Sequence, residues 1–99
     1  MHVIVDFTVV PVGTGLSLSP YVAEVERVLA RTGLTCELHS NGTNVEGEWD
    51  AVMDAIKACH EAVHAMGVVR IHTDIKLGTR TDRAQHMSDK VASVKAKLG

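Results

Sequence analysis

The stretch Leu34–Leu77, LTCELHSNGTNVEGEWDAVMDAIKACHEAVHAMGVVRIHTDIKL, decides the fold. Leu34 to His39 alternates apolar and polar residues, and Thr43 to Gly47 alternates again, so the segment opens as a hairpin turning around Ser40 to Gly42. At Trp49 the period changes. Val52, Ile56, Cys59, Val63 and Met66 recur at steps of 4, 3, 4 and 3, the spacing of one helix face, and Gly67 ends the run. Val68 to Leu77 returns to a period of two, with Val69, Ile71, Ile75 and Leu77 on one face and Arg70, His72, Asp74 and Lys76 on the other.

Toward the N-terminus, His2 to Val10 places Val3, Val5, Phe7 and Val9 on one face and Ile4, Asp6, Thr8 and Val10 on the other, and Pro11 removes a ladder donor. The loop P-V-G-T-G-L-S-L follows, then Ser19 as a helix cap, Pro20 at the first helical position and Gly33 as the stop. The stripe of this helix is Val22, Val25 and Leu29, with Val28 alongside. Toward the C-terminus, Asp82 and Gln85 have capping-box spacing and open a third helix striped by Ala84, Met87, Val91, Val94 and Leu98. The order β-α-β-β-α-β, then α, predicts an α+β fold: a ferredoxin-like sandwich with an additional C-terminal helix, one domain over residues 1–99.

With 45% hydrophobic and 22% charged residues, the chain reads as globular rather than disordered or fibrous. The formal charge of −2 without a basic block, and only Phe7, Tyr21 and Trp49 to stack on bases, argue against a nucleic-acid partner. No apolar run approaches the ~18 residues of a membrane span, and MHVIVDFTVV lacks a basic leader region, so no membrane association and a cytoplasmic location are expected. Cys36 and Cys59 form no framework and read as small core residues in a reducing compartment.

Two helices cover one face of such a sheet. The other face then carries Asp6, Thr8, Glu37, His39, Glu46, His72, Asp74 and Lys76 beside Ile4 and Val10, and pairing two such faces would bury a polar site. His60-Glu61-Ala62-Val63-His64 matches H-E-x-x-H, the zinc hydrolase signature, but the core stripe leaves Glu61 nearly opposite the core and His64 well out of it. No cleft-forming second lobe exists. P-V-G-T-G lacks the spacing of either nucleotide-binding glycine motif, and Ser17 or Ser19 with His60 and Asp82 lacks a nucleophile elbow.

The blocks V-P-V-G-T-G with S-x-S-P-Y-V-A, H-S-N-G-T-N-V-E-G-E-W-D with V-M-x-A-I, and V-R-I-H-T-D-I-K-L-G-T-R-T-D together resemble the small thiamine-binding, YkoF-like family over nearly the whole chain. The resemblance implies a ferredoxin-like subunit that pairs sheet to sheet and assembles as a dimer of dimers, holding thiamine or its hydroxymethylpyrimidine part near a subunit interface, with no catalytic activity. It points to Thr14, to Thr43 and Glu46 in G-T-x-x-E-G, and to Lys76, Arg80 and Asp82. Glu46 has the clearest chemical task, because a carboxylate can accept from the exocyclic amine of an aminopyrimidine and pair with its protonated ring nitrogen. Alternation adds His72, giving an expected ligand site of Thr14, Thr43, Glu46, His72, Lys76 and Arg80, with Thr43, Glu46, His72 and Lys76 in one open-face pocket. Alternation also turns Phe7 into the core and leaves no aromatic on that face, while Lys76 and Arg80 would suit an anion. No metal, cofactor or catalytic residue is expected. Three readings stand: a non-catalytic small-molecule binding protein in a homotetramer, an assembly protein with a vestigial or anion-binding pocket, and a zinc hydrolase using His60, Glu61 and His64.

Overall fold

Valine-rich alternation makes β1 (His2–Val12) the spine of the structure, a computed structural model describing residues 1–99. α1 (Ser19–Thr32), β2 (Thr35–His39), β3 (Gly42–Glu48), α2 (Trp49–Ala65), β4 (Arg70–Gly78) and α3 (Met87–Leu98) follow, the expected β-α-β-β-α-β order with a helix appended. The strands form one antiparallel sheet in the order β2-β3-β1-β4. Val3, Val5, Phe7 and Val9 meet Val25 and Leu29 of α1 and Val52, Ala55, Ile56, Cys59 and Val63 of α2 in a dry core. Both thiols are free; burial pushes that of Cys59 up to about 12 and raises that of Cys36. Such thiols pack as small apolar groups and are poor nucleophiles.

Several boundaries differ from the sequence reading, each for a local reason. β1 continues through Pro11, because β3 pairs with it only as far as Phe7 and a strand bonded on one side tolerates a missing N–H. α1 starts at Ser19 with Leu18 as its N-cap and no side-chain cap; Gly33 terminates it at φ +75°. α3 starts at Met87 rather than near Asp82. Asp82 is gripped by the Arg80 guanidinium at 2.6 and 2.5 Å, which holds its carboxyl down to about 2, so it does not cap the helix. The capping carboxylate is Asp89, accepting from the His86 backbone N–H at 2.9 Å. Met66 is exposed, and so are Ile75 and Leu77 of β4, which face the helix side at the sheet edge. No helix is long and apolar enough to cross a membrane.

Candidate functional site

Strand register fixes which side chains can meet. On the face away from α1 and α2, Thr35, Glu46, Ile4 and Gly78 form one cross-strand row, Glu37, Asn44, Asp6 and Lys76 the next, and Val10 pairs with His72 farther along. Residues directly opposite one another in a sheet share a face, so Thr43, opposite Phe7, lies on the helix side and cannot join Glu46. The Glu46 and His72 rows are six β1 residues apart, about 20 Å at the usual rise. The four residues expected in one pocket are therefore not brought together within one subunit.

Each has its own surroundings. The Thr43 hydroxyl donates to Glu26 Oε2 at 3.1 Å. The exposed His72 donates to Asp74 at 3.2 Å, and Lys76 stands opposite Asp6, whose carboxylate accepts from His39 at 2.8 Å. Arg80 holds Asp82. The Thr14 hydroxyl is buried without a hydrogen-bond partner, which costs about 1–3 kcal/mol unless a ligand or water meets it. Glu46 is only 7% exposed, because the start of α3 closes over it: Met87 N–H and His2 Nε2–H each donate to its Oε2 at 3.1 Å, and His86 Nδ1 lies 3.4 Å from the same oxygen. A helix N-terminus aimed at a carboxylate offsets part of its burial.

The H-E-x-x-H residues form no metal cluster. His60 Nε2 lies 2.6 Å from the Thr73 hydroxyl, His64 Nδ1–H donates to Val68 O at 2.7 Å, and Glu61 is exposed. Burial, with His64 nearby, lowers the pKa of His60.

Two cavities flank the sheet at opposite ends. One, of about 780 Å³, lies on the helix side between the start of α1 and the β2–β3 hairpin; Phe7, Val22, Val25 and Leu38 give it apolar walls, and Glu26 and Thr43 face it. The other, of about 520 Å³, lies on the opposite face against the loop after β4, where Arg80, Arg83 and Lys90 join His2 and His86. The first has the size and mixed lining of a small-molecule pocket. Glu26, His2 and His86 were missed in the sequence. Glu26 was legible as a flank of the α1 stripe, four residues after Val22, whereas His86 needed the true start of α3.

The fold and these cavities define a small ferredoxin-like α+β domain with a concave site on each side of its sheet. The chain belongs to the thiamine-binding protein family, whose model matches residues 5–95. It is 55% identical over 98 residues to a UPF0045 protein of Synechocystis, covering 99% of this chain and 81% of that one. It is 46% identical over 99 residues to a UPF0045 protein of Eremothecium gossypii, covering 99% and 94%. A hypothetical protein of Methanocaldococcus jannaschii superposes with TM-score 0.87 at 28% identity, covering 95% of this chain and 96% of that one. A Thermotoga maritima protein assigned provisionally to thiamine biosynthesis or salvage superposes with TM-score 0.82 at 20% identity, covering 95% and 99%, a likeness of fold.

Proposed function

We propose that the protein is a non-catalytic binding protein for thiamine or its hydroxymethylpyrimidine moiety, held in the helix-side pocket. The observation that carries this reading is the Glu26 carboxylate, fixed by the Thr43 hydroxyl at 3.1 Å in a half-apolar cavity with Phe7 in its wall. A carboxylate held by a hydroxyl between apolar walls suits the amine and ring of an aminopyrimidine, and the thiazolium cation of thiamine favours an acidic pocket over one lined by Arg80, Arg83 and Lys90. Thr14 belongs to the loop whose next residues, Leu16 to Ser19, line the pocket mouth. Its own hydroxyl is buried and unpartnered and does not line the pocket, so Thr14 would reach a ligand there only if this loop shifted. Family membership supports the ligand class.

Calorimetric titration of thiamine and of the pyrimidine fragment tests the site. Both bind the unmodified protein, and Glu26→Gln weakens them at least tenfold, about 1.4 kcal/mol, by removing the charged acceptor. Equal affinity in the two proteins removes Glu26 from the site. Failure of both ligands to bind the unmodified protein favours an assembly role.

The assembly is proposed as a homotetramer, a dimer of dimers. Its supporting observation is the apolar surface a lone subunit leaves in water: Ile75 and Leu77 on β4 and Val91, Val94 and Leu98 on α3. Sedimentation velocity at micromolar concentration is expected to give about 42 kDa, four times the 10.6 kDa chain, and a single-subunit mass contradicts the tetramer.

A further inference from the structure

We infer that His2, Glu46 and His86 form a binding site for a divalent transition-metal ion of the zinc type, on the sheet face opposite the thiamine pocket and independent of it. The three side chains come from β1, β3 and the residue before α3, and one donor atom from each lies within 4.8 Å of the other two. Two imidazoles and a carboxylate are a common donor set for such an ion. Bond lengths of about 2.0–2.2 Å around a tetrahedral ion place neighbouring donors about 3.3–3.6 Å apart. Here the two edges meeting at Glu46 Oε2 are 3.1 Å to His2 Nε2 and 3.4 Å to His86 Nδ1. The rings stand edge to face with centroids 5.4 Å apart, the third edge lies within 4.8 Å, and the more exposed His86 ring is the one free to turn and shorten it.

The placement fits a metal site in two further respects. Glu46 is held by the backbone N–H of Met87, an outer contact that fixes its carboxylate while leaving lone pairs for an ion. Both imidazoles line the 520 Å³ cavity, so the coordination position left by three protein donors faces an open space beside Arg80, Arg83 and Lys90. Of these cations Arg80 is neutralised by Asp82. Arg83 also attracts Asp82, and Lys90, which forms no ion pair, favours an anion as the fourth donor, which also moderates the repulsion between these side chains and the ion. The two H-E-x-x-H rings point to separate partners, His60 to the Thr73 hydroxyl and His64 to Val68 O, and no carboxylate joins them.

Tag-free protein titrated with Co²⁺, a spectroscopic stand-in for zinc, decides the matter. One equivalent is expected to give the intense visible bands of a four- or five-coordinate ion, abolished by one equivalent of Zn²⁺. His86→Ala changes an exposed side chain and is expected to keep the fold, checked by circular dichroism, while weakening Co²⁺ binding at least tenfold. Glu46→Gln is expected to do the same. Azide is the probe for the fourth position: it shifts the bands, and less so in Lys90→Ala. Absence of stoichiometric binding at micromolar Co²⁺ overturns the site, as does binding unchanged in His86→Ala. Thiamine affinity is expected to be the same with and without Co²⁺, so failure here leaves the helix-side pocket standing.

Discussion

Phe7→Ala is expected to destabilise the protein by about 3–5 kcal/mol, the range for truncating a buried phenylalanine. Phe7 sits in the middle of β1, 2% exposed, between Thr43 on β3 and Ile75 on β4 and beneath both covering helices. Its ring is the largest fully buried side chain, and the neighbouring valines are too short to close over its absence. Domains of this size have total stabilities of about 5–15 kcal/mol, so the variant could lose half of its margin. Urea denaturation followed by circular dichroism measures the difference. Val12→Ala, at an exposed position on the same strand, serves as the control and is expected to change stability by less than about 0.5 kcal/mol. A Phe7→Ala change below about 1.5 kcal/mol means that the core collapses around the missing ring and that the pocket wall is softer than its packing implies.

The same alternation that buries Phe7 made most of the fold legible. Period two in β1 and the hairpin, period 3.6 in α2 and the glycine after α1 all describe local physics, and the sheet order followed from the element order. Asp82 shows where local pattern fails. Its spacing to Gln85 is that of a cap, but an arginine two residues earlier offers a forked partner that the pattern does not weigh. The site was less legible because it depends on register. Alternation correctly placed Glu46, His72 and Lys76 on one face, yet only the pairing of β1 with β3 and β4 reveals how far apart their rows are. Thr43 entered through the G-T-x-x-E-G block, whose spacing of three puts its threonine and glutamate on opposite faces of a strand. Likewise Phe7, assigned to the core and so discounted as a ligand contact, both fills the core and walls the helix-side cavity.

Gly42→Ala is expected to cost about 1–3 kcal/mol, the range for overpacking, and to weaken the pyrimidine fragment about tenfold. A methyl group at position 42 would lie 2.8 Å from Phe7 O, 2.8 Å from Thr8 Oγ1 and 3.0 Å from Asp6 Oδ1. None of the three yields easily. Phe7 O is backbone in the central strand; Thr8 Oγ1–H donates to Asn41 O at 2.7 Å; and Asp6 Oδ1 accepts from His39 at 2.8 Å, so both side chains are tied to the hairpin that carries Gly42. Relief therefore comes from lifting the end of the β2–β3 hairpin off β1. Thr43 follows Gly42 and forms the terminal β1–β3 pair with Phe7, so the lift draws its hydroxyl away from Glu26 and loosens the carboxylate proposed to hold the ligand. Gly78→Ala is the matched control, since a methyl there meets nothing within 4 Å and its backbone is not left-handed. Denaturation and calorimetry on the two variants separate the outcomes. Loss of stability with unchanged binding would mean that Thr43 does not position Glu26, and a Gly42→Ala protein as stable as Gly78→Ala would show that the strands accommodate the methyl group without moving the hairpin.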